Sequence, residues 1–276
     1  MADGSGADDG AGLRDLDSLD TGVAHIARVY NYWLGGKDNF AADRAAAEQA
    51  MKAFPGIALS ARSNRAFMAR AVRYLAAEAG IRQFLDVGTG IPAANNTHEV
   101  AQAAAADSRI VYVDNDPIVL AHARALLASD PAGATSYAEA DLRDPERVLR
   151  AAAQTLDFGQ PVALMLMAVL QHVTDDENPY QVVATLADAL PAGSYLTLSH
   201  PAADIDAEGN AGVADSLSKT MAEKVRLRGR DEVARFFDGL EFVEPGMVQA
   251  SRWRPESDEE ASRPAALWAG VALKKT

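Results

Sequence analysis

Three short runs place acids and glycines where chemistry on a small polar molecule would need them. They are Phe84-Leu85-Asp86-Val87-Gly88-Thr89-Gly90, Val111-Tyr112-Val113-Asp114-Asn115-Asp116-Pro117 and Ala138-Glu139-Ala140-Asp141-Leu142. Each is a β-rich stretch that runs into a polar turn. Gly88 and Gly90, with Thr89 between them, let the backbone turn tightly and lie close to a ligand. The helix that follows, capped near Asn96 or Thr97 with Glu99 completing a capping box, aims its N-terminus at the same spot. Asp114 can accept hydrogen bonds from the vicinal hydroxyls of a ribose, while Asp116, before Pro117, reads as the cap of the next helix. Asp141 and Leu142 offer a carboxylate and an apolar neighbour to an adenine edge, although Asp141 also reads as a turn residue. In an open α/β sheet, ligands bind beyond the carboxyl ends of the strands, so three such ends in succession point to one site.

The elements that must position these residues alternate. The β-rich runs FLDVG, IVYVDND, SYAEAD, VALMLMAVL, SYLTLSH, EFVEPGMVQ and LWAGVALKK are mostly separated by helical stretches. That pattern predicts an α/β fold, a Rossmann-like, seven-stranded, mostly parallel sheet. The apolar run at 162–170 suits a central strand covered on both faces. The last two runs lack a helix between them. They predict an antiparallel pairing at the sheet edge, with SRWRPESDEEASRPAA as a mobile loop. Upstream, three helical stretches between His25 and Gly80 predict an N-terminal cap over residues 21–80, with residues 81–276 as the Rossmann-like domain. In the first stretch, Ile26, Val29, Tyr30, Trp33 and Leu34 share one stripe. Residues 1–20 carry six aspartates, four glycines and one arginine, and read as a disordered acidic tail.

Composition narrows the function classes. The 276 residues hold 39 acidic and 26 basic side chains, a net charge of −13, and no cysteine. A polyanion repels phosphate backbones, which argues against nucleic acid as a partner. No apolar run is long enough for a membrane span, and the N-terminus is neither a signal nor a transit peptide. A cytoplasmic protein acting on a small molecule is expected. Oligomeric state is not readable. Thiolate metal sites and cysteine nucleophiles are excluded, and no metal is expected. Asp175, Asp176 and Glu177 read as helix-capping acids rather than as a metal cluster.

The acid at Asp86 separates two nucleotide chemistries. Dinucleotide-binding turns carry an apolar residue there, because a carboxylate opposes a pyrophosphate. An acid suits a cationic amino group instead. A ligand with an amino-acid ammonium, a ribose and an adenine matches the three strand ends, and S-adenosylmethionine is such a ligand. FLDVGTG, VYVDNDP and AEADL, in this order and spacing, resemble the first three motifs of the class I S-adenosylmethionine-dependent methyltransferases. AVLQHV and DEVARFFDGLEFVEPG resemble that superfamily's later segments. ARVYNYWLGGKDNFAADRAAAE, SNRAFMARAVRYLAAEAGIRQFLDVGTG and NNTHEVAQ are similar to a narrower actinobacterial S-adenosyl methyltransferase family that began as a domain of unknown function. This resemblance covers about residues 21–276 and implies the cofactor. It places Asn115 beside the adenine and Met167 and Ala168 on the floor after the fourth strand. Gln171 departs from a common histidine, and Pro92 stiffens a loop that is often glycine-rich.

Several side-chain roles stay open at this level. Tyr30, Tyr32, Gly36 and Asn39 are candidates for a lid over the cofactor, although GGKDNF also reads as a helix stop followed by a helix start. Trp33 is expected in the core. His172 and His200 follow strands and are the candidate general bases, although a strand-end histidine also serves as a structural hydrogen-bonder. Arg226, Arg228 and Arg230 read as a solvated helix start. The expected function is methyl transfer to a small-molecule acceptor. The alternatives are a non-catalytic S-adenosylmethionine-binding or regulatory module and an NAD-dependent oxidoreductase, the latter disfavoured by Asp86.

Overall fold

The computed structural model describes residues 21–119, 121, 131–221 and 224–276; the acidic tail at 1–20 lies outside the described residues. Three helices come first, α1 (Ile26–Trp33), α2 (Ala41–Ala53) and α3 (Ile57–Ala77). The alternating part follows as β1 (Gln83–Val87), α4 (Thr97–Ala104), β2 (Arg109–Asp114), β3 (Ala134–Glu139), α5 (Pro145–Ala152), β4 (Ala163–Met167), α6 (Pro179–Asp188) and β5 (Tyr195–Pro201). After β5 come α7 (Ala207–Thr220), α8 (Arg230–Ala234), β6 (Glu241–Phe242), β7 (Val248–Gln249), α9 (Asp258–Ser262) and β8 (Leu267–Leu273).

The strands form one mixed sheet of order β3-β2-β1-β4-β5-β8-β6, with β7 also paired to β8. Strands β1 to β5 are parallel, and β8 runs antiparallel to β5, β6 and β7. Eight strands replace the expected seven, because EFVEPGMVQ breaks into two-residue pieces around Pro245. The antiparallel strand β8 lies inside the sheet rather than at its margin.

Side-chain alternation divides the sheet between two cores. Leu85, Val87, Val111, Val113, Leu164 and Leu166 face one core. Phe84, Ile110, Tyr112, Ala163 and Met165 face the other, beneath α3. Asp86 and Asp114 share the parity of this second set, so the fold turns both carboxylates toward the face that α3 and α4 cover. The segment after β7, expected to be mobile, is clamped to α3. Trp253 is fully buried and packs edge-on against Phe67 and Tyr74. Arg70 donates to the carbonyls of Ala250 (2.7 Å) and Trp253 (2.8 Å) and pairs with Glu260.

A third core joins the N-terminal helices to α7, through Val29, Trp33, Ala47, Ala50, Val213 and Leu217. Helix α7 has no counterpart in the sequence reading. Two glycines inside it lower its helix propensity, and those glycines are its contact surface. A Cβ on Gly212 would sit 2.9 Å from Ala53 Cβ, and one on Gly209 would sit 3.1 Å from the Phe54 ring. Helix α2 starts later than its expected Asp38 cap, because the Asp43 carboxylate accepts from the Phe40 N–H at 2.8 Å. The helix α4 cap is the expected box, with Asn96 N–H donating to Glu99 at 2.8 Å.

Candidate active site

The strand ends, α1, α3 and α7 enclose a cavity of about 1570 Å3 counted to its solvent mouth. Asp86, Gly88, Thr89, Gly90, Asp114, Asn115, Asp141, Leu142, Met167, Ala168 and Tyr30 all line it. Of the proposed lid residues, Tyr32, Gly36 and Asn39 do not. The Tyr32 hydroxyl donates to Glu48, and Asn39 Nδ2 donates to Asn31 Oδ1 and the Gly36 carbonyl. These residues hold the turn between α1 and α2 together. Trp33, expected only in the core, is buried and also borders the cavity.

The two glycines of the first turn do different work. Both have positive φ, 73° at Gly88 and 66° at Gly90. A Cβ on Gly88 would lie 2.3 Å from Val169 Cγ2, so this glycine lets the turn close against the β4 loop. Gly90 faces open space, and its N–H donates to Asp114 Oδ2 at 2.9 Å. Asp114 Oδ1 accepts from Asp116 N–H at 2.9 Å, which fixes the carboxylate plane and leaves a lone pair on each oxygen. Burial raises the Asp114 pKa against these two N–H bonds.

Asp86 is buried, and its Oδ2 accepts from Thr97 Oγ1 at 2.6 Å. Burial pushes its pKa up to about 6, although the Thr97 hydroxyl and the Arg65 charge favour the carboxylate. An incoming ammonium would relieve that desolvation. Arg65, from α3, also lines the cavity. Its guanidinium reaches over the turn to the carbonyls of Ala94 (3.1 Å) and Asn95 (3.3 Å), and its buried Nε has no partner among the described residues. A cation on a helix surface carries no sequence signal for this, and the sequence reading missed it. At the other rim, Asn115 Nδ2 donates to Asp141 Oδ2 at 3.3 Å, bringing two predicted residues together. His25 Nδ1 meets Asp116 Oδ2 at 3.0 Å and ties the start of α1 to the β2 turn. Burial opposes ionisation of Asp116, but the His25 bond and charge outweigh it and lower its pKa.

The two histidines part company. His200 is fully buried and does not reach the cavity. Its Nδ1 donates to the Pro201 carbonyl (2.8 Å) and its Nε2 faces Arg228 Nη1 (3.2 Å), so it is a structural hydrogen-bonder. Burial, aided by the Arg228 charge, lowers its pKa to about 3. Arg228, read as solvated, is also fully buried and anchors the carbonyls of Leu170 and Val173 and the Asp175 carboxylate. His172 lines the cavity, but burial and the charges of His25 and Arg143 lower its pKa to about 4. It is neutral near pH 7 and a weak base. Among the described residues, no group of His, Cys, Asp or Glu could hold a metal ion. Nor is any helix there long and apolar enough to cross a membrane.

Glycine turn, buried acids at the ends of β1 and β2 and a mostly parallel sheet together mark a Rossmann-like methyltransferase. The family model described as S-adenosyl methyltransferase matches residues 14–275, and the chain belongs to that family. Its cofactor is S-adenosylmethionine. A DUF574 family protein from Streptomyces avermitilis MA-4680 is 44% identical, with a TM-score of 0.89 over 92% of this chain and 99% of that one. A putative methyltransferase from Thermobifida fusca YX is 42% identical, with a TM-score of 0.87 over 96% of this chain and 100% of that one. No curated protein matches the chain.

Proposed function

We propose that this protein transfers the methyl group of S-adenosylmethionine to a small-molecule acceptor. The observation that carries this reading is the single cavity joining three strand-end carboxylates to a further chamber under α1, α3 and α7. The residues present fit the cofactor. Buried Asp86, whose pKa is raised, suits the ammonium, and the unpartnered Arg65 Nε suits the carboxylate. The spare lone pairs of Asp114 suit the ribose hydroxyls, and the open face of Gly90 permits close approach. Asn115, Asp141 and Leu142 edge the adenine, with Met167 and Ala168 as the floor.

When bound, the cofactor supplies an electrophilic methyl carbon whose bond to sulfur breaks with its electron pair as the acceptor's lone pair forms the new bond. The chain's contribution is placement, because holding the acceptor atom in line at about 3–3.5 Å supplies much of the acceleration. No strong base stands at the floor, since His200 is shut away and His172 holds its proton poorly. Helices α1 to α3, the cap of residues 21–80, exclude solvent from the reacting atoms.

Isothermal calorimetry tests the reading. S-adenosylmethionine binds the native protein, and Asp114→Ala weakens binding at least tenfold, the cost of about two ribose hydrogen bonds. Absence of binding at millimolar cofactor would overturn it. Release of S-adenosylhomocysteine on adding an acceptor separates catalysis from cofactor sensing.

A further inference from the structure

The charged side chains that border the cavity gather at one end of it. Asp86, Asp114, Asp141 and Arg143 stand on strand ends and their turns, and Arg65 reaches over the first of those turns. His25 is bound to Asp116 on the β2 turn. At the other end the lining comes from α1, α3 and α7, through Trp33, Ile57, Ala61, Val213, Ala214 and Leu217. None of these carries a charge. The polar side chains among them are already engaged. Ser60 Oγ accepts from the Ala266 N–H, and Asn210 Nδ2 donates to the carbonyls of Ala202, Ile205 and Ala266. The Tyr30 hydroxyl donates to the Ala61 carbonyl and accepts from Asn64, whose oxygen in turn accepts from Ser199. A charged ligand in this chamber would lose its hydration and meet no counter-ion, a loss that nothing in the lining offsets.

Besides Arg65 Nε, the cavity lining holds a second buried polar atom without a partner among the described residues. Gln171 is 7% exposed and lines the cavity. Its Nε2 donates to the Ala168 carbonyl at 2.6 Å and lies 3.1 Å from His172 Nε2. Its Oε1 has no partner among the described residues. The assignment is fixed by Ala168, because the reversed amide would set two carbonyl oxygens against each other. Ala168 itself holds a left-handed conformation, with φ of 50°, at the end of β4. Backbone in that region is strained in an L-residue and marks places where geometry is put to use. The orphan oxygen therefore stands beside the floor of the site, and a buried acceptor without a partner carries an unrepaid desolvation cost until one arrives.

We propose that the chamber under α1, α3 and α7 receives an uncharged, largely apolar molecule bearing one hydroxyl or N–H group, and that Gln171 Oε1 accepts the hydrogen bond from that group. This rests on the reading of the cavity given above and names the acceptor's class. Gln171 is a specificity-determining and positioning residue, because a primary amide is too weakly basic to take the proton.

Three fluorescent naphthalenes of one size test the proposal, titrated into protein saturated with S-adenosylhomocysteine. They are 2-naphthol, 2-methoxynaphthalene, which lacks the donor, and 2-naphthoate, which carries a charge. We expect 2-naphthol to bind about fivefold more tightly than 2-methoxynaphthalene, the worth of one neutral hydrogen bond, and at least tenfold more tightly than 2-naphthoate. Gln171→Leu removes the first preference and leaves 2-methoxynaphthalene within twofold of its native value. Ala214→Phe fills the chamber, abolishes binding of all three, and leaves S-adenosylhomocysteine binding unchanged. Several results overturn the proposal. These are 2-naphthoate binding as tightly as 2-naphthol, a hydroxyl preference that survives Gln171→Leu, no binding of any probe to the loaded protein, and probe binding indifferent to Ala214→Phe. Failure of S-adenosylhomocysteine itself to bind overturns the underlying methyltransferase reading instead.

Discussion

Asp86 is poised to make cofactor affinity depend on pH. Its pKa is raised to about 6 by burial, so in the free protein it is protonated below that value and ionised above it. On the proposed reading, the ammonium of the cofactor needs the carboxylate. Below about pH 6, binding must first expel a proton, and affinity for S-adenosylhomocysteine falls by up to tenfold per pH unit. Above about pH 7 the affinity is flat. Asp86→Asn binds more weakly at pH 7.5 and loses the slope between pH 5 and 6, which calorimetry at several pH values checks. This carboxylate was legible in the sequence because it interrupts an apolar strand at its last turn. Arg65 was not, because an arginine among other polar residues on an amphipathic helix looks the same whether it is solvated or folded over a turn. His200 was legible as a strand-end residue and illegible as a buried partner of Arg228, since that contact joins residues 28 positions apart.

The turn between β1 and α4 separates two costs that a glycine motif usually mixes. Gly88→Ala combines a positive φ with a methyl group 2.3 Å from Val169 Cγ2, and should destabilise the protein by roughly 2–4 kcal/mol in urea denaturation. Gly90→Ala meets open space and should cost only about 1 kcal/mol of stability, while reducing cofactor affinity by at least tenfold through its methyl in the ligand's path. Equal loss of stability in the two variants would contradict this division. At this scale the alternating strands and helices were plain from residue 83 onward, since each carries its own periodicity. Helix α7 was not, because Gly209 and Gly212 read as helix breakers until Phe54 and Ala53 are seen pressed against them. Strands β6 and β7 were merged for a related reason, since two paired residues each leave no periodicity to read.

For the molecule as a whole, the buried ionisable groups set the acid limit of stability. His172 and His200 have folded pKa values of about 4 and about 3, below the ordinary 6.5. Their contribution is complete above pH 6.5 and is lost as pH falls toward those values, because the unfolded chain takes up two protons that the folded one refuses. Asp86 acts oppositely. Its raised pKa means that the folded chain holds a proton that the unfolded one releases, between about pH 6 and 3.8. Between pH 6 and 4 the two histidines favour the unfolded state and Asp86 offsets one of them, so these three groups together lower stability on acidification. His200→Gln flattens that slope, and urea midpoints at pH 7, 6, 5 and 4 measure it. The order in which the sheet is laid down carries a further consequence, for biosynthesis. Strand β8, residues 267–273, fills the gap between β5 and the short β6 and β7, and is made after all three. Until residue 273 has left the ribosome, β5 presents an unpaired edge in the middle of the future sheet. For some seventy residues of synthesis the nascent chain therefore exposes the kind of surface that recruits stray strands, and its need of a chaperone lasts until β8 emerges.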